Sequence, residues 1–351
     1  MMRTQGRPNV LFILGNHNHN TMLHKVARAF PEAEHWFTPY YCDRWSALDV
    51  LRRLNLLEFI PLGNEFRRRC LAYCRENGLR VDLNGERNNY DLVVTCSDLI
   101  VPKNVWNKRL IGVQEGVIDP KLFLYRVRQK LPFLPRWSAG TASTGLSGLY
   151  DRYCVASPGY VEEFVSRGAP RDRLIVTGLP NLDNIGRYRK AGHWLEGHVL
   201  ACTSDGRETF RRDDRKAFIL RCVELAAGRP LVFKFHPNER MKRAVAEVER
   251  WAPGARCLTD GSGEELAANC DVLVTEWSTL AFVGLALGKE THSYRDLGEM
   301  RRLLPLQHGR AAANIARVCR AVLGLAPSET RYGDIEAKLA ARRPQVAGAA
   351  S

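Results

Sequence analysis

The sequence predicts an α/β protein made of two doubly wound domains. Short apolar segments of strand length alternate with amphipathic segments of helix length along most of the 351 residues. Several apolar segments, such as 92–96 and 272–275, are continuous, which is typical of parallel strands covered on both faces. The alternation stops at 178–197, a stretch rich in Gly, Asn and charge, and we expect a hinge there.

The elements follow in chain order from these segments. Strands are predicted at 10–14, 35–39, 92–96, 110–114, 153–156, 174–176, 199–203, 231–235, 256–258 and 272–275. Helices are predicted at 21–30, 65–76, 158–167, 213–227, 240–251 and 311–323. The predicted organisation is an acceptor-side domain at 1–180, a hinge at 181–197, a nucleotide-donor domain at 198–325, and a helix with a flexible tail at 326–351. Two such domains facing across a cleft would bind ligands at the carboxyl ends of their strands.

Composition limits the kind of partner and the compartment. The net charge of +14 calls for an anionic partner, which includes nucleic acid, an anionic membrane and phosphorylated substrates. Ten cysteines without a C-x-x-C pair argue against a zinc site and for a reducing compartment. No apolar segment approaches the ~20 residues of a membrane span, and the apolar segment near the N-terminus is too short for a signal peptide. We expect a cytoplasmic protein.

The first turn after a strand reads GNHNHN, at residues 15–20. It lacks the G-x-G-x-x-G spacing of dinucleotide-binding turns, which argues against a nicotinamide-dependent dehydrogenase. His17 and His19 would point to opposite sides of an extended chain, and no acidic or Cys partner lies nearby in sequence. The favoured interpretation is a substrate-facing loop rather than a metal site.

A histidine ends one strand of the second domain, in KFHPNE at 234–239. His236 at the carboxyl end of a strand, followed by Pro237 at a helix start, aims the imidazole and nearby amides at the ligand site. Such a histidine can donate to a phosphate oxygen and help to stabilise a departing nucleotide, so His236 is also a candidate catalytic residue. The alternative is a solvent-exposed turn histidine.

A second pattern, DVLVTEWSTLA, follows at 271–281. Ser278 and Thr279 lie where a helix begins, so their hydroxyls would cap it while its free N–H groups attract an anion. Glu276 precedes them, where it would bind a ribose or sugar hydroxyl. Capping without ligand binding is the alternative.

The third pattern is VQEGVID, at 113–119 in the first domain. Gly116 permits a sharp turn that leaves Glu115 near the cleft, on the wall opposite His236. A carboxylate facing a phosphate site is what base-assisted attack by a hydroxyl requires. An acidic turn residue without function is the alternative.

Residues 121–136, KLFLYRVRQKLPFLPR, carry five basic residues and no acidic one among apolar residues. This composition suits contact with the headgroups of an anionic membrane. A core-facing helix with a solvated basic side is the alternative.

Taken in order, the strand–His-Pro element, the strand–Glu-x-Ser-Thr–helix element and the upstream acid–Gly turn resemble one GT-B superfamily. It holds CDP-glycerol glycerophosphotransferases, bacterial sialyltransferases and capsule Kdo transferases. The segment 153–183, with its Gly-x-Pro turn, is similar to GT-B chains more widely. The resemblance covers roughly residues 90–295.

The resemblance implies roles for particular residues. His236 and Pro237 match the HP motif, which implies donor-phosphate contact, and Ser278 and Thr279 match the hydroxyl pair that helps to hold the nucleotide phosphates.

In the first domain the resemblance implies that Glu115 is the catalytic base. Glu115 and Gly116 match the end of the family's acid-acid-Gly motif, but Gln114 stands where the first acid belongs, so Asp119 is the substitute candidate.

The turn TSDGR at 203–207 corresponds to the turn that lies under the donor phosphates in GT-B enzymes. Ser204, Gly206 and Arg207 offer a hydroxyl, an approachable backbone and a fixed positive charge. An ordinary turn is the alternative.

The resulting hypothesis is a glycosyltransferase of cell-envelope polysaccharide synthesis, without metal or cofactor. It moves a sugar from a CMP-, CDP- or UDP-linked donor to a hydroxyl of a lipid-linked or glycan acceptor, at the inner face of the membrane. An anionic membrane surface is an expected partner and a specific nucleic acid is not.

Three alternatives remain open. A CDP-glycerol-type glycerophosphotransferase is less favoured because the first domain lacks a His-Gly pair. A sugar-nucleotide 2-epimerase or hydrolase is less favoured because Trp-Ser-Thr stands where those epimerases carry Ser-Gly-Gly. A non-enzymatic nucleic-acid or anion binder fits the charge alone, without a recognised motif.

Overall fold

The protein is described here by a computed structural model that covers residues 6–58, 60–118, 123–131, 135–190, 197–208, 213–236 and 238–325. These residues form two compact units. Unit 2 is Leu182–Gly309, and unit 1 is the chain on either side of it. Each unit is an open parallel sheet with helices, so the predicted fold class is confirmed.

The described ranges contain these strands and α-helices. The strands are β1 Asn9–Ile13, β2 Glu34–Thr38, β3 Leu92–Thr95, β4 Arg109–Val113, β5 Arg152–Val155, β6 Leu174–Val176, β7 Val199–Cys202, β8 Leu231–Lys234, β9 Arg256–Leu258, β10 Val272–Thr275 and β11 Glu290–Ser293. The helices are α1 His17–Arg28, α2 Ala47–Arg53, α3 Asn64–Glu76, α4 Phe123–Lys130, α5 Pro158–Val165, α6 Arg215–Ala226, α7 Met241–Trp251, α8 Gly263–Asn269, α9 Leu280–Ala286, α10 Leu297–Arg302 and α11 Ala311–Leu323.

Strand order gives each unit a switch point, the place where open α/β sheets in general bind ligands. The sheet of unit 1 runs β2-β1-β3-β4-β5-β6 and that of unit 2 runs β11-β10-β7-β8-β9, all parallel. In unit 1 the chain passes from β1 to β2 on one side of β1, and β3 is later added on the other side. In unit 2 it passes from β7 to β8, and β10 is later added on the other side of β7. The loops diverge at such a switch point and leave a crevice beyond the carboxyl ends of the strands.

The continuous apolar segments form the central strands, as predicted. Every residue of β3, β7 and β10 is buried. The ten predicted strands all form, with bounds that differ by at most one residue. β11 was not predicted, because its sequence ETHS has one buried residue and no apolar run. β11 lies at the edge of its sheet, and an edge strand does not need the continuous apolar sequence of a strand that is covered on both faces.

The prediction of a loop at GNHNHN was wrong. His17 to Asn20 form the first turn of α1, which begins four residues before the predicted helix. The side chain of Asn16 accepts a hydrogen bond from the His19 amide and caps the helix, while His19 and Asn20 are buried. Asn is among the strongest N-capping residues, so the polar run starts a helix.

The chain leaves unit 1 at Asn181 and returns to it at Arg310. Residues 182–190 of the expected hinge belong to unit 2, where Ile185 is buried in the core. The helix predicted at 311–323 forms with those bounds as α11, but it packs on α1 of unit 1 rather than extending the second domain to residue 325. Arg320 fixes it there by donating to the Ala29 carbonyl and the Glu32 carboxylate.

Two cysteines and the basic segment complete the description of unit 1. Cys70 and Cys74 of α3 are fully buried and pack in the core. Within the described ranges no helix has the length and apolar character needed to cross a bilayer. In α4 the side chain of Tyr125 is buried with Ala142 and Leu146, so this part of the basic segment at 121–136 is a core-facing helix.

Candidate functional site

A buried carboxylate lies at the switch point of unit 2. Glu276 follows β10 and is 2% exposed. One of its oxygens, Oε2, accepts hydrogen bonds from the amide and the hydroxyl of Ser204, at 2.9 and 2.8 Å. Ser204 follows β7, the strand beside β10, so the pair joins the two loops that diverge there. Glu276 therefore supports the turn from beneath and does not face solvent as a sugar-hydroxyl ligand would.

Arg215 of α6 holds this turn through a cluster of carboxylates. Its Nη2 atom lies 3.0 Å from Asp213, 3.0 Å from Glu239 and 3.6 Å from Glu276, and it donates to the Ser204 carbonyl. The side chain of Arg215 is 3% exposed. Burial raises the pKa of Glu276, while the Arg215 charge opposes that rise. One buried cation shared by three carboxylates fixes the positions of the loops after β7, β8 and β10.

Glu239 sets the geometry of the predicted HP turn. Its carboxylate accepts hydrogen bonds from the backbone amide of His236 at 3.0 Å and from the Thr203 hydroxyl. The loop after β8 is thereby tied to the loop after β7. Neither Glu239 nor Arg215 was singled out from the sequence, although Glu239 stands within the KFHPNE string.

The imidazole of His236 is partly exposed and is held by its neighbours. The Asn238 amide donates to Nδ1 at 3.3 Å, so the neutral ring carries its proton on Nε2. The Asp205 carboxylate lies 3.7 Å from Nδ1 and also accepts a hydrogen bond from the Asn238 side-chain amide. The imidazole is 37% exposed. It is therefore a positioned hydrogen-bond donor that an anionic group can reach.

The hydroxyl pair after β10 is only partly engaged in capping. Ser278 Oγ accepts a hydrogen bond from the Leu280 amide at 3.2 Å, so its own proton is available to a ligand. Thr279 is exposed and makes no side-chain cap. Trp277, 45% exposed, packs edge-on against Tyr294 beside them.

Other predicted donor contacts are placed differently. Arg207 is engaged in a bidentate ion pair with Glu247 of α7, with N–O distances of 2.7 and 2.8 Å, so its charge does not face the ligand site alone. Gly206 is buried. Pro237 lies outside the described residues.

In unit 1 the predicted base has a histidine partner. Glu115 Oε2 lies 2.7 Å from Nε2 of His19, and the Glu115 carbonyl accepts from the Asn18 side chain. The His19 side chain is 2% exposed and that of Glu115 is 21% exposed. His19 reaches this position because Gly15 has no side chain: a Cβ there would lie 2.4 Å from His19 Nδ1. The carboxylate is held from one side and open on another.

Gln114 has a structural role in this turn. Its Oε1 accepts from the Ala156 amide and its Nε2 donates to the Gly116 carbonyl, so it joins the end of β4 to β5. Asp119, the substitute base candidate, lies outside the described residues. No three His, Cys, Asp or Glu side chains among the residues that the structure covers are grouped as they would be around a metal ion.

Comparison with known proteins identifies the fold. No protein-family model matches the sequence, and no curated protein matches it.

Solved structures match over nearly the whole chain. The S. aureus protein MnaA, in a co-structure with UDP, aligns with a TM-score of 0.54 at 11% identity, over 92% of this chain and 100% of that one. A UDP-N-acetylglucosamine 2-epimerase from Neisseria meningitidis, bound to UDP-GlcNAc, gives a TM-score of 0.51 at 13% identity over 95% and 100%. The wall teichoic acid polymerase TagF gives 0.50 at 9% identity over 91% and 89%. The chain has the two-domain GT-B fold.

Proposed function

We propose that the protein is a glycosyltransferase that moves a sugar from a CMP-, CDP- or UDP-linked donor to a hydroxyl of a lipid-linked or polysaccharide acceptor. The observation that carries the proposal is the partly exposed imidazole of His236 after β8, whose Nδ1 accepts from the Asn238 amide and so leaves Nε2 as the donor of the neutral ring. Structural neighbours of the same fold bind UDP or UDP-GlcNAc, which supports a nucleotide-linked donor.

Unit 2 is the proposed donor site. His236 donates from Nε2 to a phosphate oxygen of the donor, and the hydroxyls of Ser278 and Thr279 donate beside it. Each group is already oriented before the donor arrives, because the Arg215 cluster and Glu239 hold the loops that carry them. A donor placed in advance stabilises the charge that grows on the leaving phosphate without reorganisation. The exposed ring of Trp277 offers a stacking surface for the nucleobase.

Glu115 is the proposed base. The acceptor hydroxyl gives its proton to Glu115 as its oxygen bonds to the anomeric carbon and the bond from that carbon to the phosphate oxygen breaks. His19 orients the carboxylate through the 2.7 Å contact and leaves the other oxygen for the acceptor. Direct base catalysis in this way inverts the anomeric centre.

Two alternatives share the fold. Neighbours include a UDP-N-acetylglucosamine 2-epimerase and a teichoic acid polymerase, at 13% and 9% identity. A 2-epimerase changes the nucleotide-sugar itself and uses no acceptor. A glycerophosphotransferase breaks the bond between the two phosphates of its donor instead of an anomeric bond. The Trp-Ser-Thr sequence after β10 and the absence of a His-Gly pair from the first-domain sequence favour sugar transfer.

The donor site is tested by thermal unfolding of the purified chain with EDTA and a panel of nucleotides. We expect one of CMP, CDP or UDP to raise the Tm of wild type, and His236→Ala to lose that shift. His292→Ala is the matched control, because His292 is engaged with Glu290 on β11 and should keep the shift. No shift with any nucleotide in wild type would refute the donor site, and a shift that needs a divalent cation would refute the metal-free mechanism.

A further inference from the structure

An arginine-lined pocket lies in unit 1, apart from the Glu115–His19 pair. Its volume is about 360 Å³, and it opens where the loops after β2 and β3 meet α2 and α3. Four of its lining residues are arginines: Arg44, Arg52, Arg53 and Arg67. The loops that form it follow the carboxyl ends of their strands, the same edge of the sheet that carries Glu115.

Two of these arginines share one buried carboxylate. Asp49 of α2 accepts from Arg52 Nη2 at 2.6 Å and from Arg53 Nε at 3.0 Å. Burial alone would raise the pKa of Asp49, but these bonds and one from the Trp45 amide hold it at about 2. Arg52 also donates to Asn64. The Asp49 carboxylate is therefore already bonded to Arg52 and Arg53 in the pocket wall.

Arg67 has no such partner. It is a half-buried residue of α3, and within the described ranges no acceptor receives a hydrogen bond from its guanidinium. Burial and the nearby Arg52 charge lower the pKa of Arg67, and the Asp49 charge only partly opposes them, because Asp49 is already bonded to Arg52 and Arg53. A guanidinium has five N–H donors, and those of Arg67 have no hydrogen-bond acceptor in the part of the protein that the structure describes.

Arg44 is a second arginine that forms no ion pair with any carboxylate in the described ranges. Its guanidinium lies over the ring of Trp45, 5.6 Å from the centroid, and is exposed at the pocket. The remaining acidic lining residues are Asp43, which accepts from the Lys103 amide at 2.7 Å, and Glu86, which is exposed at the rim.

The opposite wall is polar and braced. The Tyr41 hydroxyl donates to Asn104, and the Asn104 side chain donates to the Asn84 carbonyl. Such a wall keeps its shape when the pocket is empty, so a ligand does not have to order it.

We propose that this pocket binds a phosphate group of the acceptor, with Arg67 as the principal donor and Arg44 as the second. A phosphate monoester carries a charge of about −1.5 to −2 at neutral pH, which two guanidiniums match, and the oxygens of monoesters and diesters alike fit the planar fork of arginine. The pocket is the acceptor subsite of the proposed glycosyltransferase, and the inference that the phosphate belongs to an acceptor rests on that function. Phosphate binding itself does not.

The phosphate has two possible sources, a soluble phosphorylated glycan or a lipid headgroup. Exposed apolar side chains adjoin the pocket around α2: Trp45 is 69% exposed, Leu54 61% and Leu56 56%. Apolar side chains beside arginines suit the boundary between headgroups and acyl chains, which favours a lipid headgroup.

The test measures pyrophosphate affinity by titration calorimetry on the full chain, with Arg67→Gln and Arg44→Gln. We expect each variant to bind about tenfold more weakly or worse, since each removes one charge-assisted contact. Arg75→Gln is the matched control, an exposed arginine of α3 outside the pocket. Arg67→Lys keeps the charge without the fork and should bind with intermediate affinity. Circular dichroism confirms that each variant is folded.

Sedimentation with phosphatidylglycerol vesicles separates the two sources, with phosphatidylcholine vesicles as the neutral reference. Loss of both vesicle and pyrophosphate binding in Arg67→Gln supports a lipid phosphate, and loss of pyrophosphate binding alone supports a soluble one. Equal pyrophosphate affinity in wild type, Arg67→Gln and Arg75→Gln would overturn the proposal. The nucleotide-induced Tm shift should persist in Arg67→Gln, so failure of this pocket and failure of the donor site are distinguishable.

Discussion

The Nε2 atom of His19 lies 2.7 Å from Oε2 of Glu115, a contact between residues 96 positions apart that joins the start of α1 to the end of β4. One oxygen of the carboxylate is fixed by a buried imidazole, and the other faces an open side. A carboxylate held in this way is a positioned proton acceptor.

Glu115→Gln should lower kcat by about 10²–10⁴-fold, because it removes the base but keeps the size and hydrogen bonding of the side chain. The donor KM should not change, since Glu115 is not in unit 2. His19→Asn should lower kcat less and also leave the donor KM unchanged, as expected of a positioning residue. Steady-state kinetics of both variants measure this, and wild-type kcat in Glu115→Gln would exclude it as the base.

Arg215→Ala should destabilise the protein by about 3–5 kcal/mol, because it leaves the Asp213, Glu239 and Glu276 carboxylates buried without their shared cation. Urea unfolding gives the free energy. Arg221→Ala is the control: it is an exposed arginine of the same helix and should change stability by less than about 0.5 kcal/mol. Equal values for the two variants would mean that the cluster does not hold unit 2 together.

Gly112→Ala should cost about 1–3 kcal/mol, because a Cβ at this position of β4 would lie 2.2 Å from Cδ2 of the fully buried Tyr153 ring. Gly116→Ala, four residues on, has no atom within 4 Å of its Cβ and should change stability by less than about 0.5 kcal/mol. Thermal unfolding of the two variants compares the stability cost of a methyl group in a closely packed strand with its cost in an open turn. A neutral Gly112→Ala would show that the Tyr153 ring moves aside.

The contribution of Asp49 to stability should depend on pH. Its pKa in the folded protein is about 2, below the unfolded value of about 3.9, so the contribution is complete above about pH 4 and is lost as the pH falls through 2. Asp49→Asn should therefore be less stable than wild type by roughly 1 kcal/mol at pH 7, with the difference shrinking towards pH 2. Urea unfolding from pH 2 to 7 measures this. A difference independent of pH would exclude the ionic contribution.

Arg207→Gln and Glu247→Gln should lower stability by similar amounts, with a coupling of about 0.5–1 kcal/mol in a double-mutant cycle, because the two side chains form one two-pronged pair. Nucleotide affinity should stay within about twofold of wild type in both variants. A large loss of nucleotide affinity in Arg207→Gln alone would show that Arg207 leaves Glu247 to bind the donor phosphates.

Much of the fold could be predicted because parallel strands buried on both faces are continuous apolar runs, as in LVVT at 92–95 and VLVT at 272–275. The start of α1 could not, because the helix begins at a polar cap, Asn16, rather than at an apolar periodicity. The return of α11 to unit 1 depends on a long-range contact, Arg320 with Glu32, that carries no local signal.

The candidate site could likewise be predicted only in part. His236 and Glu115 stand at strand ends and were visible as local patterns. The residues that hold them were not, because Arg215 meets Glu239 and Glu276 only when β7, β8 and β10 are in register. Likewise His19 meets Glu115 only through the order of strands in unit 1.

The central claim is sugar transfer, and NMR of the donor in D₂O tests it most directly. The nucleotide-sugar whose nucleotide binds is incubated with the protein, with and without a phosphorylated lipid-linked acceptor, and followed by ³¹P and ¹H spectra. We predict release of the nucleotide that depends on the acceptor, and an unchanged C2 proton on the remaining donor. Inversion at C2 with the donor otherwise intact would contradict the account in favour of an epimerase, and release that is equal without acceptor would contradict it in favour of a hydrolase.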